Sequence, residues 1–448
     1  MTARPPLPPG PYLVVGLARS GRASAAVLRG RGEEVVGCDS GRVDPAAVGE
    51  LESAGVAVHA STDGVELLEG VGAVVKSPGV PPEVPVIRTA RERGIPVLGE
   101  LELGWRLLPN PIVAITGSNG KTTTAELVGQ IHREAGIPVA VAGNVGTALT
   151  TLPGTLDPAA VVVCEASSFQ LEDTLAFAPD AALLLNLAPD HLDRHGTFAA
   201  YRDAKLRIFA NQGAHAIAVL PVGLEAGGAA RRVRFASPMA EAGGAADADM
   251  VVADGRLVWR REPLIAVEEI RLRGAHNVEN AMAAAAVTLA RGVDPAAVRA
   301  ALAGFGGVAH RLEEVGTFDE VLYVDDSKAT NVASAVVGIR SFPGGVHAIL
   351  GGRGKQEDYA PLAAAVAERG RAAYLIGEEA ALMADALAGT GVPVRPCEDL
   401  ERAVAAARAA AEPGEVVLLS PACASYDQYR SFEERGDHFK ALARGESG

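Results

Sequence analysis

The chain has 448 residues, 48% hydrophobic and 21% charged, with 41 Lys and Arg against 55 Asp and Glu and a net charge of −14. That composition builds packed cores and excludes global disorder, and its acidity argues against a general binder of nucleic acid or of anionic membranes. No run of about 18 apolar residues suggests a membrane span, the proline-rich start MTARPPLPPG does not read as a signal peptide, and at about 150 residues per domain the length suggests three domains.

Short β-branched runs alternate with alanine-rich helical stretches, the rhythm of α/β folds with parallel sheets. In the first block a strand at 12–15 leads through the turn GLARSG (16–21) into a helix reaching about Arg29. Strands follow at 34–37, ending at Asp39, and at 73–76, which runs into SPG (77–79); a helix at 100–108 closes the block before Pro109-Asn110-Pro111. The second block opens with a strand at 112–116, a Gly-rich loop and a helix at 122–135 with Gly136 as its C-cap. Further strands are predicted at 161–164 and 182–186. The stretch 223–255 reads as loop with a small hairpin at 251–253 and 256–259, and a helix follows HNVEN (276–280) to Ala290. After the Gly-rich boundary at 304–307, strands are predicted at 321–325, 346–350, 373–376 and 416–419, with a helix at 400–411. Cys38, Cys164, Cys397 and Cys423 form no C-x-x-C pair, so they read as free thiols of a reducing cytoplasm and not as a zinc or redox site.

The sharpest chemical signal is AITGSNGKTT (114–123), set between an apolar strand and a helix. Phosphate needs convergent backbone N–H groups and no Cβ in the way, which Gly117 and Gly120 permit, and a helix N-terminus adds its positive dipole end. Lys121 is placed to reach the β- and γ-phosphates and Thr122 to hold Mg²⁺. Ile115 stands where the general G-x-x-x-x-G-K-[ST] pattern has its first Gly. Glu165, directly after one predicted strand, and His191, just past another, are candidates to face this loop, because ligands gather at the carboxyl ends of parallel strands. A carboxylate suits Mg²⁺; an imidazole is a less usual ligand. Taken alone, Lys205 reads as a solvated helix charge.

In chain order TGSNGKTT, EASSFQLE (165–172), DHLDRHG (190–196), HNVEN, DDSKATN (325–331) and SPACASYDQYRSFEERGDHF (420–439) resemble the Mur ligases of peptidoglycan synthesis over nearly the whole chain. SSFQLE and SPACASYDQ resemble the branch that adds D-glutamate; the phosphate loop alone marks a wider group that includes folylpolyglutamate synthase. The resemblance implies three α/β domains: a Rossmann-like domain for the UDP substrate (1–108), a central ATP-binding domain of the phosphate-loop type (109–307) and a Rossmann-like domain for the amino acid (308–448). It implies cytoplasmic, ATP- and Mg²⁺-dependent ligation of D-glutamate to UDP-N-acetylmuramoyl-L-alanine through an acyl phosphate, by a chain expected to be monomeric. Converting a carboxylate oxygen into phosphate creates the leaving group that amide formation needs, and catalysis then rests on positioning and electrostatics.

The same resemblance assigns residues. Gly117, Ser118, Asn119, Gly120, Lys121, Thr122, Thr123, Asn280, Arg311 and Asp326 match ATP contacts. Thr122, Glu165, His191 and a carbamylated Lys205 match the surroundings of two Mg²⁺ ions, and Lys121, Glu165, His191 and Lys205 the catalytic set. Asn144 and Ser167 match contacts to the muramoyl-alanine end of the substrate; Arg19, Ser20, Asp39, Ser40 and Gly79 align with its uridine-diphosphate end. Lys328, Thr330, Lys355, Ser425 and Phe432 match positions around D-glutamate, where a dicarboxylate needs cations and N–H or O–H donors. Three features depart from the pattern. GLARSG lacks the middle Gly of G-x-G-x-x-G, Gly41 stands where some relatives carry a basic residue, and Arg353 stands where some carry an acidic one. Two other classes fit the residues less well. A nicotinamide-dependent dehydrogenase would leave the Lys121 loop unexplained, and a nucleotide-switch protein would leave the dicarboxylate-compatible set without a purpose.

Overall fold

Runs of four to six residues rich in Val, Ile, Leu and Ala form strands buried on both faces, as parallel sheets covered by helices require; Tyr12–Val15, Ala73–Lys76, Ile112–Thr116, Val161–Glu165, Ala181–Leu184 and Val416–Leu419 have no exposed residue. A computed structural model describes residues 4–237, 247–272, 274–354 and 357–446. Lys355, assigned above to D-glutamate, lies outside the described residues. The chain divides into two compact units, 1–305 and 306–448.

The first unit holds two sheets. One is parallel throughout, in the order Ala57–Ala60, Val35–Asp39, Tyr12–Val15, Ala73–Lys76, Val97–Gly99. The chain leaves the central strand Tyr12–Val15 in one direction and returns on its other side at Ala73–Lys76. The loops 16–21 and 77–80 therefore flank the switch point where open α/β sheets bind ligands. The second sheet has nine strands, in the order Glu262–Ala266, Arg256–Trp259, Met250–Ala253, Arg231–Phe235, Ile217–Pro221, Ala181–Leu184, Ile112–Thr116, Val161–Glu165, Val139–Gly143. Its own switch point puts Ile112–Thr116 between Ala181–Leu184 and Val161–Glu165. Apolar cores cover both faces, one under the helices Lys121–Glu134, Ala275–Ala290 and Pro295–Gly304, the other under Phe198–Ala210.

The second unit is a six-stranded sheet ordered Glu313–Phe318, Val321–Asp325, Val416–Leu419, Val346–Gly351, Gly370–Ile376, Val394–Glu398. Its edge strand Glu313–Phe318 runs antiparallel to Val321–Asp325, an exception to the parallel rhythm, while the hairpin Met250–Ala253/Arg256–Trp259 forms where it was expected.

Two expectations are corrected. The stretch read as loop contains the strand Arg231–Phe235; in RRVRF the Val and Phe are buried while arginines occupy the other positions, and the charge masked the alternation. HNVEN does not precede its helix but opens it: Ala275–Ala290 starts after Gly274, at φ 90°, which buries Asn280 on the helix.

The two sheets of the first unit are joined by buried charge. Glu102, on the helix Glu100–Leu107, is fully buried. Its carboxylate accepts the backbone N–H groups of Leu175 at 3.0 Å, Ala176 at 3.1 Å and Phe177 at 2.9 Å, and pairs with Arg106 at 2.7 Å. Removing the carboxylate leaves three backbone donors, the Phe177 N–H among them buried, and a cation without their acceptor. Glu102→Ala should therefore destabilise the chain by about 3–5 kcal/mol, measured as a lower midpoint in urea titration.

Candidate active site

The phosphate loop sits at the switch point of the nine-stranded sheet. Gly120 caps the helix Lys121–Glu134 with φ 81°, and a Cβ there would lie 2.1 Å from Asn280 Oδ1, so the loop closes against the neighbouring helix only because this residue is Gly. The loop is pinned from outside. Asn119 N donates to Asn186 Oδ1 at 2.9 Å, Asn186 Nδ2 to Glu279 at 3.3 Å, and Ser118 Oγ pairs with the Tyr201 hydroxyl at 2.9 Å. Lys121 Nζ folds over its own loop, donating to the carbonyls of Gly117 at 3.0 Å and Ser118 at 2.9 Å.

Glu165 ends the adjacent strand and is buried. Its Oε2 accepts the Thr122 hydroxyl at 2.7 Å and its Oε1 accepts Asn144 Nδ2 at 3.0 Å. The Asn144 backbone N–H donates to the Glu165 carbonyl at 2.9 Å, while Gly143, at φ 117°, is the only size that fits, since a Cβ would lie 2.1 Å from that carbonyl oxygen. A hydroxyl and a carboxylate converging at a phosphate loop are the hard oxygen donors that Mg²⁺ takes. Thr123 follows on the same helix.

Lys205, read from sequence as a solvated charge, is buried: its Nζ donates to the Gly117 carbonyl at 2.8 Å and lies 4.7 Å from the Tyr201 ring centroid. Burial, with the charge of Lys121 adding to it, pushes the Lys205 ammonium down to about 7. His191 is placed differently from Glu165. It adopts φ 50° at the start of the turn Leu192–His195, is half-exposed, and has Asp190 at 3.5 Å and the Phe169 ring at 4.8 Å. The structure does not bring it onto Thr122 or Glu165. Ser167 caps the helix Ser168–Glu172 in a reciprocal capping box with Gln170.

In the five-stranded sheet the weak glycine fingerprint is a tight packing unit. Gly16 has φ 87° and a Cβ there would strike Val80 at 2.6 Å; a Cβ on Gly21 would lie 1.8 Å from the Gly16 carbonyl. The helix Arg19–Gly30 begins there with Arg19 and Ser20. Asp39 accepts Leu17 N–H and Gly41 N–H, each at 2.8 Å, and so binds the two loops together. Ser40 and Gly79 are exposed. Beside Gly41, Arg42 lines a cleft with Val43, Asp44, Pro45, Ala60 and Ser61.

The second unit gathers three loops at the carboxyl ends of its central strands. Asp326 accepts the Ser420 hydroxyl at 2.7 Å and Leu312 N–H at 3.2 Å, and burial pushes its carboxyl up to about 7. Arg311 lies in the adjoining turn, with its charge favouring the ionised form of Asp326. Lys328 Nζ lies 5.3 Å from the Phe432 ring centroid, and Thr330 N–H donates to the Lys328 carbonyl at 2.8 Å. Ser425 is buried, its carbonyl accepting the N–H groups of Gln428 and Tyr429. Arg353 exchanges backbone hydrogen bonds with Ala424, next to Ser425, and its side chain pairs with Glu378 at 3.0 Å. The unforeseen residue here is Arg435, buried, with Nε on the Ser327 hydroxyl and a second nitrogen on the carbonyls of Ser327 and Cys423.

The chain matches three family models: Mur ligase MurD-like, N-terminal domain, over residues 11–99; Mur ligase middle domain, over 115–288; and Mur ligase, glutamate ligase domain, over 310–423. It is 42% identical to UDP-N-acetylmuramoylalanine--D-glutamate ligase of Pelotomaculum thermopropionicum over 96% of each chain. The chain belongs to the Mur ligase family. It is also 44% identical to the enzyme of the same name from Geobacter metallireducens over 96% of each chain. The crystal structure of UDP-N-acetylmuramate-alanine ligase from Thermotoga maritima shares the fold, with a TM-score of 0.59 at 18% identity over 98% of this chain and 100% of that one.

In this Mur ligase, Tyr201, Asn186 and Glu279 are supporting residues beyond those predicted from sequence. Tyr201 alone carried a usable signal, since it precedes Lys205 by four residues and shares its helix face. The tightness at Gly120 gives a direct test. Gly120→Ala forces a strained φ and a clash with Asn280, and should weaken binding of an ATP analogue by about a hundredfold or more, from about 3 kcal/mol of backbone strain. Isothermal titration calorimetry would measure it.

Proposed function

We propose that this Mur ligase joins D-glutamate to UDP-N-acetylmuramoyl-L-alanine, with ATP converted to ADP and phosphate, as a cytoplasmic step of peptidoglycan precursor synthesis. The observation that carries the reading is the Thr122–Glu165–Asn144 cluster at the mouth of the phosphate loop, in a chain whose similarity to D-glutamate ligases runs from end to end. The domains implied are 1–108 for the UDP substrate, 109–307 for ATP and 308–448 for the amino acid.

In this mechanism the loop N–H groups and Lys121 bind the β- and γ-phosphates, and Lys121 exchanges its contacts with Gly117 and Ser118 for phosphate oxygens. Asn144 and Ser167 orient the substrate carboxylate toward the γ-phosphorus. Phosphoryl transfer gives the acyl phosphate, the D-glutamate amine attacks its carbonyl carbon, and phosphate leaves. Lys328, Thr330, Ser425 and Phe432 hold the glutamate, with Lys355 proposed beside them; Asn280, Arg311 and Asp326 contact the nucleotide. Mg²⁺, when bound, neutralises phosphate charge; Thr122 and Glu165 would hold it, with His191 and modified Lys205 as further ligands.

Phosphate release from ATP plus UDP-N-acetylmuramoyl-L-alanine should appear with D-glutamate and not with L-glutamate or diaminopimelate. Release with another acceptor in its place would move the chain to another branch of the family. Lys121→Ala should lower turnover by about three orders of magnitude or more with the fold retained; near-normal turnover would remove the loop from the mechanism.

Lys205 yields a pH prediction. Its amine attacks CO₂ only when neutral, forming a carbamate and releasing a proton, and the neutral fraction grows as pH rises through about 7. With ¹³C-bicarbonate, a carbamate carbon resonance should strengthen over that interval and be absent from Lys205→Ala. That variant should be nearly inactive and partly rescued by formate or acetate. Full activity without rescue would exclude the carbamate.

A further inference from the structure

One buried lysine has no part in the mechanism above. Lys76 ends the strand Ala73–Lys76 and is completely buried. Its Nζ lies 2.8 Å from Asp173 Oδ2 and donates to the Val80 carbonyl at 2.7 Å. An ammonium in such a place is costly unless paired and hydrogen-bonded, and here its hydrogen bonds go to the turn 77–80. A second cation grips the same turn. Arg194 donates to the Pro78 carbonyl at 3.2 Å and to the Val80 carbonyl at 3.4 Å, pairs with Glu172 at 3.4 Å, and lies 4.2 Å over the Phe169 ring. Arg91 adds a contact to Asp173 at 3.5 Å.

Two consequences follow from geometry. In a trans peptide the N–H points opposite to the C=O. Holding the Pro78 carbonyl against Arg194 therefore turns the Gly79 N–H the other way, at a residue that is exposed and has open space where a Cβ would be. An outward amide on a glycine turn suits an anion. The clasp also has a far end. Glu172 and Asp173 finish the helix Ser168–Glu172, whose cap Ser167 stands two residues after Glu165, and Arg194 belongs to the segment that carries His191. The turn 77–80 of one sheet is thus bolted to the segments that follow Glu165 and carry His191 in the other.

We propose that Lys76 and Arg194 are positioning residues: they hold the turn 77–80 so that Gly79 faces the diphosphate of the UDP-linked substrate, and through Asp173 and Glu172 they set the distance from that anchor to the phosphoryl-transfer site. The inference rests on the functional reading above. A substrate fixed at its diphosphate delivers its distant carboxylate only if the two sites keep their spacing, and small misplacements are expensive in rate.

The test uses the full-length enzyme with Lys76→Met, Arg194→Gln and the pair Lys76→Met/Asp173→Asn, which leaves no uncompensated buried charge. Calorimetry would measure UDP-N-acetylmuramoyl-L-alanine and a non-hydrolysable ATP analogue separately, alongside steady-state kinetics and thermal melting. We expect Kd and KM for the UDP substrate to rise about tenfold or more, with KM for ATP and D-glutamate near wild type. The double variant should recover Tm without recovering substrate affinity. Wild-type affinity in all three variants would overturn the proposal, and so would losses that track Tm for both ligands alike. Failure of the wild-type enzyme itself to bind the UDP substrate would bring down the functional reading on which the positioning role depends.

Discussion

Glu165 is the carboxylate on which the loop end of the nine-stranded sheet is built. One oxygen holds Thr122 at the start of the phosphate-loop helix; the other holds Asn144 on the turn after the edge strand. A buried carboxylate is costly without hydrogen-bond donors. Glu165 therefore ties the strand Val161–Glu165, the loop helix and the turn at Asn144 to one another. The glycines at 120 and 143 follow from this, because each stands where a Cβ would collide with an atom that the assembly needs, Asn280 Oδ1 in one case and the Glu165 carbonyl in the other.

Next to that carboxylate the molecule concentrates positive charge. Lys121 and Lys205 both donate to the Gly117 carbonyl. Burial first, and then the neighbouring charge of Lys121, lowers the Lys205 ammonium to about 7. The arrangement favours an incoming anion that draws Lys121 away.

The joint between the two sheets of the first unit is polar, in contrast to the apolar cores on their faces. Glu102 gathers the backbone of 175–177. Glu100 accepts both the N–H and the hydroxyl of Thr150 at 2.8 and 2.9 Å, with burial pushing its carboxyl upward. Lys76 and Asp173 complete the set. Apolar contact tolerates sliding, whereas groups with fixed hydrogen-bond directions do not. In the proposed function, a substrate held at both sheets gains from that rigidity.

The sequence by itself determined what depends on local chemistry. AITGSNGKTT between an apolar run and a helix reads as a phosphate loop because backbone approach demands Gly and the helix start supplies N–H groups, whatever the rest of the chain does. The alternation of Val-rich strands and Ala-rich helices likewise settles an α/β fold. What the tertiary structure decided is whatever depends on partners distant in sequence. Lys205 looks like a surface charge until Phe198–Ala210 packs over Gly117. His191 is placed by sequence only past a strand end, and the fold decides that it stands at φ 50° beside Asp190 and the Phe169 ring. Arg231–Phe235 looks like loop until Ile217–Pro221 supplies the neighbour that makes RRVRF a strand. Lys76, Asp173 and Arg194 carry no local signal at all, since an ion pair across 97 residues of chain has no periodicity to read, and only folding reveals which charges are removed from water and must find one another.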